Sequence, residues 1–191
     1  MQSSVHAPRI LIVEPHKSGL AVMARRLSEA GYRVVSCDNA SDAVSELHRA
    51  PVALLLAELR MPLMSGIELT RLVRDDVSLR DLPVILITGR SDATGAVDGF
   101  AAGADDVVAK PFHFEVLLAR IAGRLAKARA VRELRQDNAT LDARVTQRAI
   151  QLGEARAALH ASECERQRLS SLMRGGKILP RPLPGERDRS P

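Results

Sequence analysis

Aromatic residues are scarce in this chain: tryptophan is absent, and Tyr32, Phe100, Phe112 and Phe114 are the whole aromatic set. None lies in the basic C-terminal part, which argues against recognition of single-stranded nucleic acid by base stacking. Cysteine is nearly missing too. Cys37 and Cys164 stand far apart, outside any CxxC or Cys/His spacing. That excludes a disulfide framework or structural zinc site and suits a reduced compartment. No window reaches the ~18 apolar residues of a membrane span, and the opening MQSSVHAPR lacks the apolar core of a signal peptide. The expected location is cytoplasmic, with no membrane partner. Proline is absent from Phe112 to Leu179, so no ring interrupts a helix there.

Charge is unevenly placed. Residues 1–126 carry 14 Lys+Arg against 15 Asp+Glu, whereas residues 127–191 carry 14 against 8. A near-neutral globular part is therefore followed by a basic appendage. The plain interpretation is a solvated basic helix; a surface for nucleic acid or an acidic partner is the alternative.

The stretch PVALLLAELRMPLMSG, Pro51 to Gly66, organises the globular part. Its apolar run from Ala53 to Ala57 is short and closed by turn residues, the pattern of a strand buried on both faces. Glu58 stands where that run stops. Similar runs occur at Ile10–Val13 (then Glu14), Arg33–Ser36, Val84–Ile87 (then Thr88) and Asp106–Ala109 (then Lys110). Between them lie helical spacings: Ser18 to Ala30 ending at Gly31, a helix capped by Ser41 and running to Ala50, about Gly66 to Asp75, Ala93 to Ala102, and a last helix from near His113. Five strands alternating with helices predict an α/β fold, a flavodoxin-like five-stranded parallel sheet in the order 2-1-3-4-5. Ligands of such sheets gather at the carboxyl ends of the strands. Glu14, Glu58, Thr88 and Lys110 are thus predicted to share one edge.

ILIV, LRMPLMSG, PVILITG, GADD and AKPF succeed one another at intervals that resemble the receiver domain of two-component response regulators, over about Arg9 to Leu125. The resemblance implies an acidic pair after strand one that binds Mg²⁺, and an acceptor aspartate after strand three that takes phosphoryl from a kinase histidine. It also implies a lysine on the phosphoryl oxygens (Lys110), a hydroxyl that responds to them (Thr88) and a Lys110–Pro111 bond that is usually cis. Here the acidic pair is Glu14-Pro15, the acceptor position four before Pro62 is Glu58, and the position of the responsive aromatic is Val107. Glutamate reaches roughly 1.5 Å further than aspartate, and a misplacement of about 1 Å can cost ~100-fold in rate. These departures imply a degenerate phosphoacceptor pocket (Glu14, Pro15, Glu58, Thr88, Lys110), a switch position (Thr88, Val107) without its ring, and no catalytic residue or cofactor. A Glu58–Lys110 charge pair is expected instead; the alternatives are a solvated carboxylate at the loop edge with no signalling value, and a divalent ion such as Mg²⁺ on Glu14 and Glu58. By resemblance to DNA-binding members, Asp106, Glu115 and Arg120 fall where a dimer contact places charges.

Beyond Leu125 a heptad pattern can be written with Val131, Asn138, Val145, Leu152, Leu159, Arg166 and Met173 at a. Leu134, Leu141, Arg148, Ala155, Ser162 and Leu169 then fall at d. Nine of these thirteen are apolar, which supports a coiled coil, and Asn138 favours a parallel dimer. The expected dimer interface is Val131, Leu134, Asn138, Leu141, Val145, Leu152 and Leu159, with Cys164 pointing away at f. A single helix docked on a partner is the alternative. His160 lacks the surroundings of a kinase phosphohistidine, and nothing resembles a helix-turn-helix, cyclase or phosphodiesterase. The predicted organisation is a flexible N-terminus (1–8), a receiver-like domain (9–125), a helical coiled coil (126–174) and a disordered Pro- and charge-rich tail (175–191).

Three functions stand as expectations. The leading one is a non-enzymatic, phosphorylation-independent receiver acting as a homodimeric adaptor for a signalling protein such as a histidine kinase or another regulator. The others are a conventional phosphoacceptor regulator and a nucleic-acid binder using the basic coil, the latter disfavoured by its lack of aromatics.

Overall fold

The apolar runs Ile10–Val13, Leu54–Ala57 and Val84–Ile87 become strands here because both their faces are covered. The computed structural model describes residues 7–89 and 92–175. Along the chain run β1 (Arg9–Val13), α1 (Lys17–Glu29), β2 (Arg33–Cys37), α2 (Ala40–Arg49) and β3 (Leu54–Glu58). They are succeeded by α3 (Gly66–Asp75), β4 (Val84–Thr88), α4 (Ala93–Ala101), β5 (Asp106–Ala109) and α5 (Phe114–Gly175). The strands are parallel in the order β2-β1-β3-β4-β5, the predicted topology.

Strand alternation splits the core into two layers. Leu11, Val13, Leu55, Ala57, Val84 and Leu86 pack with Ala43 and Leu47 of α2 and Leu69 and Val73 of α3. Ile10, Ile12, Leu54, Leu56, Ile85 and Ile87 pack with Met23 and Leu27 of α1 and Leu117 and Ile121 of α5. All five residues of β3 and of β4 are buried. Each buried leucine or isoleucine contributes roughly 2 kcal/mol, which makes this pair the rigid centre of the sheet.

Helix starts fix the loops near the site. Ser65 and Glu68 form a reciprocal capping box on α3, and Asp92 caps α4 by accepting from the Gly95 N–H at 2.9 Å. The predicted Ser41 cap of α2 is corrected: Asn39 is the cap, accepting from the Asp42 N–H at 2.8 Å. Ser41 already lies inside the helix, whereas Asn39 has the extended backbone a cap requires.

The chain divides into two compact units, Met1–Arg135 and Gln136–Pro191. The first unit includes the start of α5, where Arg135 pairs with Asp81 in the chain before β4. In the second, described through Gly175, α5 continues as helix. The expected disordered tail from residue 176 onward, and the first six residues of the expected flexible N-terminus, lie outside the described residues.

Candidate functional site

Sheet register alone brings two carboxylates together. Val13 pairs with Ala57, so the next residues, Glu14 and Glu58, leave adjacent strands side by side. Thr88 pairs with Ala109, and the Lys110 N–H donates to the Thr88 carbonyl at 2.7 Å, which places the lysine at the same edge. A tight loop closes the site from Leu59 to Ser65. Gly66 is required where it ends, because a Cβ there would lie 2.4 Å from the Glu58 carbonyl oxygen.

Lys110 sits between the two acids. Its ammonium donates to Glu14 Oε2 at 2.8 Å and to Glu58 Oε2 at 2.6 Å. Glu14 is 1% exposed and Glu58 9%, whereas the Lys110 side chain is 40% exposed. The second oxygen of Glu14 accepts from the His16 N–H at 3.0 Å and lies 2.9 Å from His16 Nδ1. The chain bends at Pro15 and His16, between the strand end and α1.

Burial works against charge on Glu14, but Lys110 and the two His16 contacts outweigh it and hold its carboxyl below the ordinary range. For Glu58 burial wins. Lys110 offsets it only in part, and the nearby Glu14 charge adds to it, so its carboxyl is pushed up. Burial opposes the Lys110 ammonium too, yet the two glutamates overcome it and raise its pKa. The trio therefore behaves as one charge-sharing unit, with Lys110 firmly cationic.

The remaining predicted positions fall outside this trio. The Thr88 side chain is buried and directed to Asp92, with Oγ1 3.4 Å from Oδ2. Asp92 is itself engaged by Arg60 at 2.7 and 3.0 Å, which holds its carboxyl down to about 2. Sequence reasoning missed both Asp92 and Arg60; the helix-start position of Asp92 was the available signal. Val107 is half-buried against the α3-side core, and Lys110–Pro111 is cis. Asp106 is buried and held within the chain by Arg120 at 2.9 Å and Arg124 at 3.3 Å, while Glu115 meets Arg26 at 3.1 Å. Of the three charges expected there only Asp106 is buried; the Arg120 and Glu115 side chains stay open to solvent.

The donor set does not fit Mg²⁺. A hard divalent cation requires about six oxygen ligands, and Pro15 supplies no side-chain donor where the second carboxylate is expected. The Lys110 ammonium already occupies the space between Glu14 and Glu58. No cluster of three or more His, Cys, Asp or Glu suited to a metal occurs among the described residues. No helix among them is long and apolar enough to cross a membrane.

Along the seam of α5, Leu134, Leu141, Val145, Leu152 and Leu159 are each more than half exposed. Val131 is less so, since it lines a cavity of the first unit.

Comparison with known proteins agrees with this architecture. The family described as "Response regulator receiver domain" matches residues 10–122. The chain is 33% identical over 122 residues to the phosphate regulon transcriptional regulatory protein PhoB of Rhizobium meliloti, covering 64% of this chain and 54% of that protein. It is 32% identical over 112 residues to histidine kinase P4 of Formosa agariphila, covering 59% of this chain and 8% of the kinase. The chain thus spans about half the length of the PhoB regulator it matches. Among solved structures, the signal receiver domain of a signal transduction histidine kinase from Syntrophus aciditrophicus is 33% identical, with a TM-score of 0.60. That match covers 63% of this chain and 92% of that one.

Proposed function

This chain belongs to the response regulator receiver domain family of two-component signalling, and from that footing we propose that it works without phosphoryl transfer, as a dimeric adaptor. Its partner class is a signalling protein such as a histidine kinase or another regulator. One observation carries this: the Lys110 ammonium is held at 2.8 and 2.6 Å between Glu14 and Glu58. A phosphoacceptor carboxylate must offer an oxygen to an incoming phosphoryl group while a cation neutralises the charge that develops. Here the nearest cation is already neutralised by two acids, and the acceptor oxygen is tied to it. Glu58 also starts one methylene beyond the geometry that suits aspartate. The trio holds the site in one charge state with no external input.

Dimerisation is proposed through α5. The apolar positions from Leu134 to Leu159 recur at heptad spacing and stay exposed in the single chain, and Asn138 suits a parallel pair. Light scattering of the full chain checks this. A dimer that becomes a monomer on Leu141→Asp with Leu152→Asp is the expected result; an unchanged mass overturns it.

The function is tested by incubating the protein with acetyl phosphate and Mg²⁺ and measuring intact mass. No phosphoryl adduct is expected. An adduct lost on Glu58→Gln defeats the proposal in favour of a conventional phosphoacceptor regulator.

A further inference from the structure

We propose that a cavity at the opposite edge of the sheet binds a small molecule carrying two or more linked phosphate groups. The cavity, about 280 Å³, lies within the first unit, bounded by the chain before β4, the turn before β5 and one face of α5. It is independent of the Glu14–Lys110–Glu58 trio at the carboxyl edge.

Its charge is the reason. Six cations line it, Arg74, Arg80, Arg124, Lys127, Arg132 and Arg135, against only two carboxylates, Asp81 and Asp105. Both acids are already engaged. Asp105 accepts from Arg74 at 2.8 Å and from the Val84 N–H at 2.9 Å, and Asp81 pairs with Arg135. Arg124 is taken by Asp106. Arg80, Lys127 and Arg132 are left with no ion pair among the described residues, all directed to one hollow. Lys127 and Arg132 both line the cavity from α5, Lys127 beside Arg124 at i,i+3 and Arg132 beside Arg135 at i,i+3. Arg74 is a fixed wall: its guanidinium donates to the carbonyls of Gly103, Arg80 and Leu82 at 2.8 to 3.0 Å.

Charge, size and floor define the ligand class. Two arginines and a lysine without counter-ions call for an anion of at least two charges, and guanidinium forks match phosphate oxygens in pairs. A cavity near the small end of the ligand-site range suits a diphosphate or a compact nucleotide. Leu82 and Pro83, both buried, together with Ala128 and Val131, give an apolar floor on which an organic group can rest. Asp81 and Asp105 interrupt the basic surface, which disfavours a continuous polyanion such as duplex DNA.

The test is calorimetric titration of the full chain with inorganic pyrophosphate, ATP, orthophosphate and a short DNA duplex, each at two salt concentrations. Saturable 1:1 binding of pyrophosphate or ATP is expected, weakened by salt. Affinity should fall about a hundredfold in Lys127→Ala with Arg132→Ala, since each charge-assisted contact is worth about a decade. Both residues are exposed, so the variant should keep the wild-type thermal midpoint, which separates lost binding from lost folding. Tighter ATP binding reflects its third phosphate or its organic group on the Leu82–Pro83 floor; equal affinities assign recognition to two linked phosphates alone. Either supports the proposal. It is overturned if neither probe saturates at millimolar concentration, if orthophosphate binds as tightly as pyrophosphate, if the variant binds unchanged, or if only DNA binding responds to the substitutions.

Discussion

Replacing Lys110 with methionine removes the charge at the centre of the trio and keeps most of the stem. Glu14 and Glu58 would then face each other as two carboxylates, one 1% and the other 9% exposed, with no cation between them. Breaking a buried ion pair by deleting one partner typically costs roughly 3–5 kcal/mol, because the other charge stays buried. Lys110 is 40% exposed, and water screens part of that loss. A cost of roughly 2–3 kcal/mol is therefore expected. At about 4 °C per kcal/mol for a domain of this size, the thermal midpoint should fall by roughly 8–12 °C. The chain has no tryptophan, so far-UV circular dichroism in urea is the suitable readout.

Two controls give the result its meaning. Lys110→Met combined with Glu14→Gln and Glu58→Gln removes the repulsion along with the ammonium and should recover much of the lost stability. Acid should do the same to the single variant. In the wild-type protein, Glu14 has a lowered pKa, so its contribution is present above the ordinary carboxylate range and lost as pH falls through its folded value. Glu58 has a raised pKa, so its contribution is full below the ordinary value of 4.5 and lost as pH rises through its folded value. Without Lys110 both carboxyls move up, and the gap between variant and wild type should close as pH drops below 4.5. A single variant within about 0.5 kcal/mol of wild type, the size of an ordinary surface substitution, refutes the account. So does a triple variant less stable than the single one.

Neighbouring geometry has further consequences. Pro15→Asp with Glu58→Asp rebuilds the two acids that the family pattern places there, and it should gain a phosphoryl adduct from acetyl phosphate that appears only with Mg²⁺, read by intact mass. Gly66→Ala should cost roughly 1–3 kcal/mol in urea unfolding, since its Cβ would sit 2.4 Å from the Glu58 carbonyl oxygen. His48 offers one ring nitrogen to the Val44 carbonyl at 2.9 Å and the other to Asp76 at 3.0 Å, so the doubly protonated ring is favoured and its pKa lies above 6.5. That contribution is full below 6.5 and lost as pH rises through the folded value. NMR titration should show the raised midpoint, and Asp76→Asn should lower it.

Periodicity and register account for the features legible in the sequence. Five short runs name the strands, the apolar runs of β1, β3 and β4 imply burial on both faces, and parallel topology then carries Glu14, Glu58, Thr88 and Lys110 to one edge. The Glu58–Lys110 contact was foreseeable because a long acid and a long base leave nearby strand ends. The second partner was not, because whether Lys110 reaches Glu14 as well depends on a turn. At the bend after the strand the His16 N–H lands on Glu14 Oε1, which leaves Oε2 for the lysine. Nor does any local pattern tell a buried aspartate from an exposed one. Asp106 looks like a surface charge until α5 lays Arg120 and Arg124 across it. The same holds for the basic cavity. Its cations come from α3, from the chain before β4 and from the start of α5, and only the packed fold shows that Arg74, Arg124 and Arg135 are occupied while Arg80, Lys127 and Arg132 are not. Local sequence gives each charge its position along an element. Which charges end as pairs is decided by long-range packing.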